Sequence, residues 1–271
     1  MPVPYPVLTV PNWSCFLDED VRSELEAGLA GTGVQVHDFS SNRDHGRTVA
    51  AFGGDWSEVV SGLNWLSEQL LPRIDLRQAT GVHPRLGALD VCPFVAIGMA
   101  EADLLQKVPT FARDWSTRFG VPVEFYEKSG SRSLPEVRKL GKAGLATRWG
   151  QATMGVRDFL LAFNLNSAHV SIEQARGVAR QIRHDRDAGD RRLAGVRCLA
   201  FSLAHRGMVQ LSFNVTQPDR VSLDDLVDLV EGAARVEWEP ELIGVIRDVD
   251  LAGALKVPVR AAQIVVTRGR A

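Results

Sequence analysis

Cysteine and net charge are both scarce in this chain. Its three cysteines, Cys15, Cys92 and Cys198, are odd in number and far apart. They offer neither a disulfide framework nor a paired spacing for zinc, and a reducing, cytoplasmic compartment suits them best. Cys92 sits in an apolar, strand-like run and reads as a small buried hydrophobe. A formal net charge of -2 leaves no electrostatic footprint for nucleic acid or an anionic membrane, so neither partner is expected. No window supplies the ~20 consecutive apolar residues of a membrane span. The N-terminus lacks the basic region and apolar core of a secretion signal. His37, His45, His169 and His205 show no metal-ligand spacing, so no metal site is expected. His45 falls in a polar turn and is expected to be solvated; His205 is expected at the exposed tip of a hairpin. Residues 183–192 alternate charge signs, the pattern of a solvated loop rather than a phosphate-binding face.

What is present is the ordinary material of a folded protein. The 271 residues are 45% hydrophobic and 24% charged, enough to bury a sizeable core in one domain or two. Periodicity suggests an α+β chain with an internal repeat of strand, helix, hairpin, helix, strand. In the first half, strands are expected at residues 6–10, 34–39, 48–52 and 89–97, with helices over 18–29 and 56–71. A polar turn at 40–46 joins the hairpin strands. The pattern returns with strands at 159–165, 196–203 and 208–215 and helices over 171–183 and 222–236. Ser171 followed by Gln174 reads as a capping box, and Ser222 as an N-cap. Two segments compete for the last strand, 242–246 and 263–267, and the sequence does not choose between them. Between the repeats lie a helix at about 100–119, a strand at 122–126 and a Gly-rich stretch around 139–150. Two split-βαβ units of this kind resemble a tandem ferredoxin-like arrangement.

The most informative stretch is residues 81–94 (GVHPRLGALDVCPF). It sets a histidine, a guanidinium and two glycines ahead of an apolar run. Histidine is the side chain best suited to move protons near neutral pH. Pro84 fixes its own φ and biases His83 toward an extended backbone, so the imidazole is aimed. Arg85 offers a planar fork of donors that suits a carboxylate. On composition alone, a surface loop that happens to hold His and Arg stays open as the other reading.

The same stretch resembles the signature of the glutamate formiminotransferase family, folate-dependent enzymes of histidine breakdown. Residues 10–14 (VPNWS), Arg47-Thr48-Val49 and residues 150–166 (GQATMGVRDFLLAFNLN) match that family in the same order. A fainter match, 208–214 (MVQLSFN) followed by Glu241-Leu242-Ile243-Gly244, carries the likeness into the last third. The resemblance implies two tandem ferredoxin-like subdomains, 1–157 and 158–271, whose sheets face one another across a substrate tunnel. It implies transfer of a formimino group from N-formimino-L-glutamate to N5 of tetrahydrofolate, the co-substrate, with release of glutamate. His83 matches the catalytic histidine and takes the general acid/base role. Arg47, Arg85 and Arg157 match motif arginines and are candidates for substrate carboxylates; each could also serve a structural ion pair. Asn12 either hydrogen-bonds substrate or satisfies its own turn. Trp149 is either a stacking surface for the pterin or a core residue. Gly150 opens a glycine-flanked turn, expected over 150–155 ahead of a strand, where a ligand can approach the backbone. Asn164 shares a strand face with Asn166. If that face lines the tunnel, Asn164 contacts folate; otherwise the pair caps the strand end. A homodimer is the family expectation, and the small-molecule product is expected to pass to a separate cyclodeaminase.

Three departures stand out. The family follows Pro-Asn-Phe-Ser with Glu-Gly-Arg or Glu-Gly-Lys, where this chain has Cys15-Phe16-Leu17. Ser40 replaces an acidic residue of the first hairpin. An extended folate-binding segment with Asp-Phe-Gly-Pro is shortened here to residues 142–148 before Trp149, which puts the cofactor preference in question.

Overall fold

The computed structural model describes residues 5–140 and 147–267, except the side chain of residue 234. Residues 142–146 of the shortened segment lie outside the described residues. The chain divides into two compact units, the first ending at Asp158 and the second beginning at Phe159.

The first unit opens on one strand in two pieces, β1 (Val7–Thr9) and β2 (Asn12–Trp13), interrupted at Val10 and Pro11. Proline has no N–H to give a ladder, which explains the break. Then come α1 (Glu19–Ala30), the hairpin β3 (Gln35–Asn42) and β4 (Arg47–Gly54), α2 (Trp56–Leu70) and β5 (Leu89–Ala96). Both β1 and β2 lie between β4 and β5, and all these pairings are antiparallel. After α3 (Glu101–Phe119) the sheet is extended by β6 (Val123–Phe125) and β7 (Ala152–Val156), with β7 parallel to both β5 and β6. A short helix, α4 (Leu134–Leu140), stands between β6 and β7.

Apolar residues at helical spacing unite the three long helices with the sheet. Leu25 and Leu29 of α1, Leu63 and Leu66 of α2, and Leu104 and Val108 of α3 share a core with Phe52, Phe94 and Met154. A second, smaller cluster joins Leu86, Val91, Tyr126 and Val137. Strand alternation separates the two sets, since Cys92 and Phe94 enter the first and Val91 the second. Residues 152–156 form a strand, not the turn expected over 150–155. Gly155 is required there by a close approach: a Cβ would stand 2.3 Å from the Tyr126 carbonyl oxygen.

The second unit runs β8 (Leu161–Ser167), α5 (Ile172–Asp187), β9 (Val196–Leu203), β10 (Met208–Val215), α6 (Leu223–Ala234) and β11 (Glu239–Ile243). Its four strands lie in the order β11-β8-β10-β9, all antiparallel. The capping box is present at the start of α5: Ser171 N–H donates to Gln174 Oε1 at 2.8 Å, and Gln174 N–H to Ser171 Oγ at 3.2 Å. Phe163 and Phe213 stack at 4.8 Å between ring centroids on the buried side of β8 and β10. Of the two segments competing for the last strand, the earlier one pairs with β8, starting at Glu239. The later one supplies β13 (Ile264–Val265), which pairs in parallel with β12 (Ile246–Arg247) in a separate ribbon.

Candidate functional site

The site of the first unit is organised by one buried aspartate. β2 faces β5 with Asn12 opposite Val91 and Trp13 opposite Leu89, so Asp90 is the extra residue of a β-bulge. The bulge turns a carboxylate inward inside an otherwise apolar strand, where it is 1% exposed. A buried charge must be paired and hydrogen-bonded. Asp90 Oδ1 accepts the Leu86 N–H at 2.7 Å, and Oδ2 accepts Arg138 Nη2 at 2.8 Å. Arg47 Nη2 completes the arrangement at 3.3 Å from Oδ2. Arg47 Nε also donates to Asn12 Oδ1 at 2.9 Å, while Asn12 Nδ2 donates to the Val10 carbonyl at 2.7 Å. Asn12 therefore serves its own turn and Arg47 together. Burial pulls the Arg47 guanidinium down to about 10, with Asp90 opposing the shift and Arg138 and Arg85 adding to it. It keeps its charge at neutral pH.

The Leu86 hydrogen bond anchors the loop that carries His83. Gly81 lets this loop lie against the β3–β4 turn, since a Cβ there would stand 2.0 Å from the His45 carbonyl oxygen. Val82 N–H donates to the Asp44 carbonyl at 3.0 Å. Arg85 then clamps the two segments, donating to the carbonyls of His83 (3.3 Å), His45 (3.4 Å) and Gly81. Burial lowers its pKa, with Asp90 opposing. The carboxylate candidate of the sequence is thus engaged as a loop clamp. His83 is half-buried, and its ring meets the His45 ring edge-on at 5.6 Å. His45 is not solvated as its polar turn suggested; it is 7% exposed, because the loop bearing Gly81 folds over it.

His83, Arg85 and Arg138 line one cleft of about 440 Å³, with Leu76, Gly81 and Leu86 in its wall. An imidazole and two guanidiniums lining one cavity suit a small anionic ligand.

The remaining candidates sit outside this cleft's lining. Arg157 donates through Nη1 to the Asp158 carbonyl at 2.8 Å and lies beside the Tyr126 hydroxyl; burial lowers its pKa. Trp149 is half-buried against the main core, its indole N–H bonded to the Leu71 carbonyl at 2.9 Å and one ring face under the Arg148 guanidinium. Gly150 has φ +61, and a Cβ would stand 2.2 Å from the Leu86 carbonyl oxygen. Its need for glycine is met by this chain-to-chain approach. Ser40 donates to Asp38 Oδ2 at 3.0 Å. Asn164 belongs to the second unit. There Asn164 and Asn166 both donate to Glu241 Oε2, at 3.4 and 3.3 Å, and Gln210 Nε2 donates to Asn166 Oδ1 at 2.8 Å. Burial raises Cys15 to about 11 and Cys92 to about 12, so both are thiols at neutral pH. Among the described residues no group of three His, Cys, Asp or Glu side chains is placed to hold a metal ion, and no helix is long and apolar enough to cross a membrane.

Sequence reasoning missed Asp90 and Arg138. Asp90 had a usable signal, a lone carboxylate in an apolar run that burial would force into a pair. Arg138 had none, since Val137 is the one buried residue of α4.

Comparison with known proteins gives the chain a family. Residues 6–159 match the family model of the formiminotransferase domain, N-terminal subdomain. Over 232 residues the chain is 30% identical to the formimidoyltransferase-cyclodeaminase of Sus scrofa, covering 76% of this chain and 43% of that protein. The chain thus spans less than half the length of that relative. It is 29% identical over 279 residues to the glutamate formimidoyltransferase of Thermoplasma acidophilum, covering 91% of this chain and 90% of the relative. With the glutamate formimidoyltransferase of Streptococcus pyogenes it shares 27% identity over 254 residues, covering 83% and 82%.

Proposed function

The chain belongs to the formiminotransferase family, and on that premise we propose that it moves a formimino group from N-formimino-L-glutamate to tetrahydrofolate, releasing glutamate in histidine degradation. The observation that carries the reading is the cleft in which His83 faces the same space as Arg85 and Arg138. Tetrahydrofolate, as co-substrate, supplies the attacking amine. His83 accepts the proton lost by that amine and returns one to the departing glutamate nitrogen, general acid/base work done by one group in turn. Its backbone is held by Arg85 and, through Leu86, by Asp90, so the imidazole is positioned before substrate arrives. In each unit four antiparallel strands stand in the same relative order, β5-β1-β4-β3 in the first and β11-β8-β10-β9 in the second, which supports the tandem ferredoxin-like reading. Three free cysteines support a reducing cytoplasmic setting. A homodimer belongs to the same proposal and is read by light scattering.

The test is His83→Gln. Glutamate release is expected to fall by ~10²–10⁴-fold, with the melting temperature unchanged. The acid limb of kcat/KM, expected within the ~pH 5–8 window where histidines titrate, should vanish with it. A variant with normal turnover removes the role. A second reading, a relative that binds the ligands without transfer, is favoured by one observation: Arg85 is already engaged by three carbonyls. Folate binding without glutamate release would establish it.

A further inference from the structure

A transfer from an amino-acid donor needs a cation that grips a donor carboxylate beside the proton-transfer group. The three arginines legible in the sequence are each occupied by the protein itself. Arg47 is 14% exposed and shared between Asn12 and Asp90. Arg85 is spent on loop carbonyls, and Arg157 on the Asp158 carbonyl. A fourth guanidinium stands in the same cleft as His83. Arg138 reaches it from α4, a segment with no part in the family motifs of this sequence.

Arg138 is seated by one edge only. Its Nη2 bonds Asp90 at 2.8 Å, its side chain is 23% exposed, and its Nε–H has no acceptor among the described residues. A guanidinium carries five N–H donors, so most of its capacity is unspent. Asp90, itself buried, is meanwhile divided between two guanidiniums, which leaves the trio with an excess positive charge. The repulsion is registered at Arg47, where Arg138 and Arg85 both disfavour the charged form. An anion entering the cleft relieves that excess, and a carboxylate matches the planar fork bidentately.

We propose that Arg138 binds a carboxylate of the amino-acid donor, with Asp90 as the residue that positions it. This deepens the transferase reading and rests on it for the donor's identity. Asp90 thereby couples the two halves of the site, holding the His83 loop through Leu86 N–H and the donor-binding guanidinium through its other oxygen.

The probe is N-formyl-L-glutamate, a stable mimic of the donor, titrated calorimetrically into the full chain and into Arg138→Met and Arg138→Lys. Arg132→Met, on an exposed ion pair with Glu124, serves as surface control. Loss of a charge-assisted carboxylate contact is expected to weaken binding by about tenfold or more in Arg138→Met, with partial recovery in Arg138→Lys. In kinetics, KM for formiminoglutamate rises by the same factor while kcat and KM for tetrahydrofolate hold. Should Arg138→Met fail to fold, Arg138→Lys keeps a charge for Asp90 and still lacks the fork. Binding within twofold of wild type in a folded Arg138 variant, equal loss in Arg132→Met, or no binding by the wild type overturns the proposal. Binding that depends on Arg138 in a protein without turnover would sink the transferase reading alone. Turnover with an unchanged donor KM in Arg138→Met would sink this inference alone.

Discussion

The two units build polar faces of different chemistry on their sheets, the first with the help of a bulge and the second by strand alternation. In the first, the polar positions around β2, β4 and β5 carry full charges: Arg47 and Asp90, joined by Arg138 and backed by Asn12. In the second, the alternate positions of β8 and β10 carry carboxamides, Asn164, Asn166 and Gln210, tied to Glu241. Asp90 and the three carboxamides are buried, and burial makes both kinds of group expensive unless satisfied. Charges cost more to bury, but they hold fields that steer protons and anions. Carboxamides cost less and present fixed donors and acceptors. The first unit therefore has the means for acid/base chemistry on an anion, and the second has the means for hydrogen-bond recognition.

Three substitutions test this contrast. Asp90→Asn should have the largest effect on stability, because it strands Arg47 and Arg138 without a counter-charge. A loss of about 3–5 kcal/mol is expected in urea denaturation, and a loss under 1 kcal/mol would mean that the charges are not a coupled set. Gly81→Ala is next. Its Cβ collides with the His45 carbonyl, so the loop must shift and carry His83 with it. About 1–3 kcal/mol of stability and up to ~10² in turnover should go. Full activity in this variant would show that the His83–His45 juxtaposition is dispensable. Asn166→Ala is expected to have the smallest effect. It removes one hydrogen bond, the 2.8 Å contact from Gln210 Nε2, and should cost about 1 kcal/mol, without moving the pH profile that His83 sets. A shifted profile would contradict the division of labour.

Much of the fold was legible because it rests on local rules. The second hairpin, at 196–203 and 208–215, follows from alternation and its polar turn. α5 follows from Ser171 and Gln174. His83 and Arg85 were legible as a motif, and the structure puts both in one cleft. What escaped depends on contacts far apart in sequence. His45 looked solvated because nothing near it in sequence covers it; the cover is the loop at Gly81. The bulge at Asp90 appears only when β5 is laid against β2. Trp149 was read two ways, and its indole bond to Leu71 with its core packing makes it structural on at least one edge. The clamp role of Arg85 was invisible because carbonyl acceptors leave no mark on side-chain sequence.

The central claim is that this cleft transfers a one-carbon unit from formiminoglutamate to folate. It is tested most directly by titrating the protein with tetrahydrofolate in a calorimeter, then adding formiminoglutamate and assaying released glutamate. A heat of folate binding is expected, followed by glutamate release that depends on both ligands. Folate binding without glutamate release, or no heat with either ligand, would contradict it.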